Sequence, residues 1–356
     1  MKIVHCADIH LDSPFSGLDS SQAAIKREDI RRSFSKIIAL VKDENADALI
    51  IAGDLFDGKN VSKLTLDFIV SKFSEIADVP VFIAAGNHDP KDDKSYYNII
   101  NWGKNVHIFD TKPEIVRLGE MNVLGVSFES SKTEVTLISE ENLNKSELPQ
   151  IIVMHANLSG TDYNPISKEF VTKSGVVYFA SGHIHKNLCE KIGDTLFCYP
   201  GCPEGRGFDE LGEKGAYIVE IDGNSAKARF VPLCQREYCE VEINVSDVNS
   251  YEGIIGKIML NGNIDPKNLY KIILFGECDF VIDTAVICDA ISAFYVKVVD
   301  NTTQKIDLLA ISEDFSVKGL FVKKMLEKMK EEGETEELRR ALSFGLAAIR
   351  GEKVNP

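Results

Sequence analysis

The chain has seven histidines, and five of them sit where an apolar run gives way to polar residues. His10 closes Asp8-Ile-His10, directly after the run that begins at Lys2. His88 lies in Gly86-Asn-His-Asp89, after Val81–Ala85. His155 follows Ile151–Met154, and His183 and His185 lie in Gly182-His-Ile-His185, after Val176–Ala180. Gly53-Asp-Leu-Phe-Asp57 adds two carboxylates after Ala48–Ala52. Aspartate, asparagine and histidine offer hard oxygen and borderline nitrogen donors without thiolate, which suits manganese, iron or zinc in a reactive site better than structural zinc. Asp8, His10, Asp54, Asn87, His155, His183 and His185 are too many donors for one ion. Two ions sharing one carboxylate would use them all. A pair of ions ~3.5–4 Å apart can clamp both the attacking and the leaving oxygen of a phosphoryl displacement. The expected cofactor is therefore two divalent cations, manganese first, with iron, zinc or magnesium as alternatives.

These clusters must be brought together by the elements between them. Lys2–Ala7, Ala48–Ala52 and Val81–Ala85 read as strands buried on both faces. Ile30, Phe34, Ile37, Ile38 and Val41 recur at helical spacing, which predicts a helix over 20–43, and Leu66, Ile69, Val70, Phe73 and Ile76 mark a second. Strand and helix alternate with short links, so the strands are expected to run parallel. Further strands are predicted at 106–109, 114–118, 122–127, 151–154 and 176–180, with hairpins at 188–199 and 216–233. In open α/β sheets ligands collect at the carboxyl ends of the strands, and each cluster begins at such an end. A lone histidine there is usually structural, and a lone Gly-Asp is usually a turn. Five such clusters, each after a separate apolar run, point instead to one convergent site. The glycines at 53, 86 and 182 suit sharp turns that aim the side chains inward.

Length and charge narrow the class. With 356 residues the chain is long enough for roughly two domains. The partition read from the sequence is a core over 1–233, an α+β capping domain over 234–311 and carboxy-terminal helices over 312–356. In the tail, Phe321, Val322, Met325 and Met329 share one helical face, and Leu338, Leu342, Leu346 and Ile349 another. The net charge of −15 excludes a protein that holds nucleic acid by bulk positive charge, although a local groove or a metal site is compatible with it. No apolar run approaches the ~18 residues of a membrane span, and no signal peptide is read at the amino terminus, so a cytoplasmic protein is expected. The eight cysteines include no CxxC pair and read as buried small hydrophobes.

The ordered set Asp-x-His, Gly-Asp-x-x-Asp, Gly-Asn-His-Asp, His and Gly-His-x-His resembles that of the calcineurin-like metallophosphoesterases, over about residues 1–205. The resemblance implies a four-layer α/β/β/α sandwich with the metals at one edge. It implies one ion held by Asp8, His10, Asp54 and His185, and a second held by Asp54, Asn87, His155 and His183. A metal-bridging hydroxide would be the nucleophile. His88 would stabilise the transition state or protonate the leaving oxygen, oriented by Asp57, and Asp89 would support the ligands from behind. His5 and His107 match nothing in the pattern and read as structural.

Gly58 stands where protein Ser/Thr phosphatases place an arginine, and Asp57 where purple acid phosphatases need a tyrosine. The segment Ala7-Asp-Ile-His-Leu-Asp-Ser-Pro-Phe-Ser-Gly-Leu18, with Tyr199-Pro-Gly-Cys-Pro203, resembles the SbcD-type DNA repair exonuclease subunits, and among them the YhaO subgroup. That likeness implies a DNA exo- or endonuclease. It further implies a homodimer and an SMC-like coiled-coil ATPase partner (SbcC/YhaN type) on the carboxy-terminal helices, with no membrane role. A small-molecule or cyclic-nucleotide phosphodiesterase of the same fold is the alternative, and a non-enzymatic metal-stabilised scaffold is a third reading. Lys318, Lys323, Lys324, Lys328 and Lys330 form a basic strip whose ordinary fate is a solvated helix face. Arg206 could meet a phosphate, but its commoner fate is a surface ion pair. With so acidic a chain, DNA binding by this protein alone is expected to be weak.

Overall fold

The computed structural model describes residues 1–58, 61–143, 148–305 and 307–351. The chain divides into two compact units, residues 1–240 with 264–271 and 292–296, and residues 241–263 with 272–291 and 297–356. The first unit opens β1 (Lys2–Cys6), α1 (Ser20–Asp43), β2 (Ala48–Ala52), α2 (Lys63–Ser74), β3 (Val81–Ala84), α3 (Tyr96–Ile99) and β4 (Val106–Ile108). It continues with β5 (Glu114–Leu118), β6 (Met121–Val126), β7 (Gln150–His155), β8 (Asn157–Leu158), β9 (Pro165–Ile166), α4 (Lys168–Ser174) and β10 (Tyr178–Gly182). The hairpins β11 (Leu188–Ile192) with β12 (Thr195–Tyr199), and β13 (Gly215–Asp222) with β14 (Ser225–Pro232), close it.

Two six-stranded sheets result, in the orders β14-β13-β1-β2-β3-β4 and β11-β12-β10-β7-β6-β5. β1 to β4 are parallel, as the alternation of strands and helices predicts, and so are β6, β7, β10 and β12. One apolar cluster lies between the sheets and contains Ile3, Ile50, Phe82, Val153, Tyr178 and Val219. Strands buried on both faces lack a polar alternation, which is why Ala48–Ala52 reads as one apolar run. A second cluster joins the first sheet to Ile30, Phe34 and Ile37 of α1 and Ile69 and Phe73 of α2. A third packs Val171 of α4 on the second sheet. These clusters define the four-layer α/β/β/α sandwich. α1 starts in a capping box, in which Asp19 accepts from the Ser21 and Gln22 backbone and Gln22 reaches back to Asp19 N–H.

Two buried polar features interrupt this apolar scheme. His5 is fully buried on β1 and sits 2.7 Å from the Tyr178 hydroxyl through Nδ1, while its Nε2 has no partner. Burial lowers its pKa from 6.5 to about 3. The folded protein therefore refuses a proton that the unfolded chain accepts below pH 6.5. This contribution is complete above pH 6.5 and is lost at about 1.4 kcal/mol per pH unit as the pH falls toward 3. His5→Gln is expected to be less sensitive by ~2 kcal/mol between pH 6.5 and 5 in urea denaturation. Equal pH sensitivity in the two proteins would contradict the assignment.

The second feature is on α1, where Lys26 faces the interior. Its Nζ lies 2.6 Å from Glu204 Oε1, and both side chains are fully buried. Glu204 also accepts from Ser33 Oγ and from the backbone N–H groups of Gln235 and Arg236. Removing one partner of such a pair strands a charge, at a cost of about 3–5 kcal/mol. Lys26→Met is expected to lose that much stability, read as a fall in the urea midpoint. A loss under about 1 kcal/mol would show that the carboxylate's remaining donors suffice.

Beyond the sandwich come β15 (Tyr238–Asn244), α5 (Tyr251–Asn261), β16 (Leu269–Cys278), α6 (Thr284–Ala290) and β17 (Tyr295–Gln304), with sheet order β15-β16-β17. The tail adds α7 (Leu308–Ser312), α8 (Val317–Glu332) and α9 (Glu336–Arg350). Their apolar faces cover one another: Val322, Leu342 and Leu346 form a small core with Ile311, Met325 and Met329. Thr335 caps α9 by accepting from Leu338 N–H, as its position before two glutamates predicts. Among the described residues no helix is long and apolar enough to cross a membrane. The reading of all eight cysteines as buried small hydrophobes is corrected: Cys234, Cys239 and Cys288 are only partly buried, and Cys189 and Cys198 are register partners on β11 and β12 with their sulfurs side by side. The register of that hairpin, invisible in composition, sets the two side chains opposite each other.

Candidate metal centre

All five clusters meet at the carboxyl edge of the paired sheets. The first two are zipped together beyond β1 and β2, where Asp8 N–H donates to Gly53 O at 3.0 Å and His10 N–H to Asp54 O at 2.9 Å. The fifth joins them when His183 N–H donates to both oxygens of Asp8 at 3.1 Å. The third is held by Asp89, whose carboxylate accepts from the N–H groups of Asp54, Leu55, Phe56 and Gly86 and from Tyr97 Oη. Asp89 thus lies behind the cluster. Burial and the nearby Asp54 charge push its pKa up to about 6.

Asp8, His10, Asp54 and His185 bring ligand atoms within 4.8 Å of one another. His10 Nε2 stands 3.3 Å from His185 Nε2 and 3.6 Å from Asp54 Oδ2, and His185 Nε2 stands 3.6 Å from Asp8 Oδ1. On the other side of Asp54, His155 Nε2 is 3.4 Å from Oδ2 and 3.0 Å from Asn87 Oδ1. His183 Nδ1 is 3.3 Å from that same amide oxygen. Asp54 thus stands against both groups of donors, nearer to His155 than is Asp8, whose Oδ1 is 4.0 Å from His155 Nε2.

The donor chemistry tests whether cations fit. His155 spends its Nδ1–H on Ala52 O at 2.9 Å, and His185 spends its own on Glu210 Oε1 at 2.6 Å. Each ring then turns its Nε2 inward, toward other acceptors, where a cation would find the lone pair. Lone pairs converging on carboxylate and amide oxygens repel one another unless positive charge lies between them. Donor atoms 2.0–2.2 Å from one centre stand roughly 3.0–3.6 Å from each other, the spacing seen here. Burial pushes the pKa values of His10 and His183 down, the latter to about 4. Asp54 is held low although burial opposes its charge, because His155, His10 and His88 outweigh that cost. These residues fit a pair of divalent cations.

The backbone is strained where the donors gather. Asp8, His10, Asp54 and His183 all have positive φ, at 51°, 51°, 53° and 100°, a region that side-chain-bearing residues seldom adopt. Such strain collects at functional sites. Gly53, at φ 97°, satisfies the turn that its position suggests. Gly86 has another reason to be glycine, since a Cβ there would collide with the Asp54 carboxylate.

Apart from the metal donors, His88 is half-exposed and its Nδ1 lies 2.9 Å from Asp57 Oδ1. That hydrogen bond raises the His88 pKa against the opposing effect of burial. For Asp57, burial is outweighed by the His10 imidazole 3.7 Å away and by hydrogen bonds with His88 and Ser13, so its carboxyl stays far below the usual carboxylate range. His107 pairs with Glu114 at 3.1 Å, and His5 lies in the core, so neither joins the site. Arg206 departs from the surface fate read for it. Its side chain is only 17% exposed and reaches Asp57 and Glu210. Sequence reasoning misses Glu210, because a glutamate in the glycine-rich stretch 205–212 carries no periodic or motif signal.

Compared with protein families, residues 1–187, more than half of the chain, match the one described as calcineurin-like phosphoesterase. The chain belongs to that family. This phosphoesterase is 29% identical over 245 residues to the uncharacterized metallophosphoesterase YhaO of Bacillus subtilis, covering 65% of this chain and 60% of that protein. It is 27% identical over 274 residues to the DNA double-strand break repair protein Mre11 of Methanocaldococcus jannaschii, covering 72% of this chain and 73% of that one. Its identity to the SbcD component of the nuclease SbcCD of Bacillus subtilis is 24% over 266 residues, covering 62% of this chain and 66% of that component. The phosphoesterase thus spans less than two thirds of the length of YhaO.

Proposed function

We propose that this chain is a dinuclear-metal phosphodiesterase acting on DNA. The observation that carries the reading is the pair of donor groups on either side of Asp54, with His88 and Asp57 beside them. Asp8, His10, Asp54 and His185 would hold one cation, and Asp54, Asn87, His155 and His183 the other. When bound, the two ions supply Lewis-acid charge for a phosphoryl oxygen and a nucleophile at neutral pH.

The protein's own groups then have distinct tasks. Ala52 O and Glu210 fix the tautomers of His155 and His185, keeping the inward nitrogens free of protons. Asp57 takes the Nδ1–H of His88, which leaves Nε2 as the end that hands a proton to the departing oxygen. DNA as the substrate is supported by the similarity to Mre11 and to the SbcD component of SbcCD, a repair protein and part of a nuclease by name. A partner subunit is supported by the name of the SbcD component, one part of SbcCD; the coiled-coil ATPase and the homodimer rest on the motif resemblance read in the sequence. Leu309, Phe315, Val317 and Leu320, exposed on and between α7 and α8, suit such a partner. An acidic chain gains little from phosphate neutralisation, so much of the DNA affinity would come from the assembly.

The test is turnover with manganese. Single-stranded and blunt duplex DNA are incubated with the protein in one series, and bis-p-nitrophenyl phosphate and cyclic nucleotides in another. Cleavage of DNA is the expected result. Turnover of the small esters alone would remove the nuclease reading and favour a small-molecule phosphodiesterase.

A further inference from the structure

Two charged side chains outside the five clusters are buried against the site. Glu210 is 5% exposed and takes four donors. Its Oε1 accepts from His185 Nδ1 at 2.6 Å and Arg206 Nη2 at 3.2 Å. Its Oε2 accepts from Arg206 N–H at 2.7 Å and Cys202 Sγ at 3.3 Å. Arg206 extends the connection, because its Nη2 also stands 3.2 Å from His185 Nδ1 and its Nη1 donates to Asp57 Oδ2 at 3.4 Å. Ser13 Oγ donates to that same oxygen at 2.7 Å, which leaves Asp57 Oδ1 for His88. One guanidinium therefore bridges the carboxylate behind a candidate ligand and the carboxylate behind the proton donor.

Burial of this kind is a poor way to gain stability, since well-packed apolar residues commonly do as well as a buried ion pair. What the arrangement supplies is orientation. A carboxylate on the outer nitrogen of a ligating imidazole fixes its tautomer and its angle. The planar fork of arginine holds two carboxylates at a set separation, which a lysine ammonium cannot reproduce. The carbonyl of His185 is anchored too, by the buried Lys214 ammonium at 3.1 Å.

We propose that Glu210 and Arg206 are a joint positioning unit: Glu210 locks the His185 ring with Nε2 facing Asp8 and His10, and Arg206 holds Asp57, and through it His88, in fixed relation to that ring. The inference rests on His185 being a metal ligand and His88 a proton donor.

The experiment uses the full chain. Manganese is titrated calorimetrically into the metal-stripped wild type, Glu210→Gln and Arg206→Met, and kcat and KM are measured with a short DNA oligonucleotide, whose alkoxide leaving group needs the proton, beside bis-p-nitrophenyl phosphate, whose leaving group does not. Glu210→Gln should weaken one manganese site by about 10–100-fold and leave the other unchanged. Arg206→Met should bind both ions as the wild type does and lose about tenfold or more in kcat on the oligonucleotide at constant KM. Arg206→Lys should fail to restore it. If Glu210→Gln does not fold, Glu210→Asp, which draws the carboxylate back by one methylene, carries the same expectation. A Glu210 variant that titrates like the wild type overturns the inference. So does an Arg206→Met variant whose KM rises at constant kcat, since that marks a substrate contact. A wild type that takes up no manganese would instead sink the functional reading itself.

Discussion

His88→Ala should keep both manganese ions and lose about 10²–10⁴-fold in turnover, or roughly 3–5 kcal/mol of transition-state stabilisation. The ions should stay because His88 holds the candidate ligand Asp54 through its backbone, whose N–H donates to Oδ1 at 2.9 Å and survives the substitution, while its ring only packs edge-to-face on His10. Turnover should fall because Nδ1 is committed to Asp57 and only Nε2 can deliver a proton. The loss should depend on the leaving group. A nitrophenolate departs readily without protonation, whereas a nucleoside alkoxide does not. The deficit should therefore be far larger on DNA than on bis-p-nitrophenyl phosphate. Equal losses on both would assign His88 to charge stabilisation, and loss of metal would make it a ligand. The pH profile gives a second check. The Asp57 hydrogen bond raises the His88 pKa, so the protonated, donating form persists to higher pH. Asp57→Asn removes that support, and the alkaline limb of kcat should move to lower pH.

The parts of the site that the sequence reveals are those written as contiguous motifs at the ends of apolar runs. Asp8 and His10 can be placed because Ile3, Val4 and Cys6 before them are fully buried and leave no doubt where the strand lies. His155 is legible for the same reason. Glu210 and Arg206 are not, because they act from an irregular segment whose path is set by the packing of residues distant in sequence. The buried Lys26 shows a different limit. Helical periodicity assigns it a face but cannot show that Glu204, 178 residues away, waits opposite. Backbone strain is equally silent, for aspartate and histidine do not advertise positive φ as glycine does. The tail helices present apolar faces that need cover, and the pattern alone cannot say that α8 and α9 cover each other.

Asp54→Asn should abolish the tight binding of both ions, because it keeps the shape of the shared side chain and removes only its charge. The expected weakening is more than about 100-fold at each ion, beyond the 10–100-fold typical of losing a supporting residue. Activity should fall to background with it. Stability separates this from misfolding. Asp8, Asp54, Asp89 and Glu210 are each at most 5% exposed, so the metal-free protein confines several carboxylates in one small volume. The surroundings hold the Asp54 carboxyl low in the folded protein although burial opposes its charge, so neutralising it should cost the metal-free protein some stability, and the manganese-dependent increment is what separates loss of metal from misfolding. Manganese at 100 times its dissociation constant should stabilise the wild type by about 2.7 kcal/mol per bound ion, while Asp54→Asn at the same concentration should gain almost nothing. Thermal denaturation with and without manganese reads both quantities. A variant that still gains the wild-type increment would show that Asp54 is not shared between the ions. The pairing of donors on its two sides would then have to be replaced by two independent sites or by one.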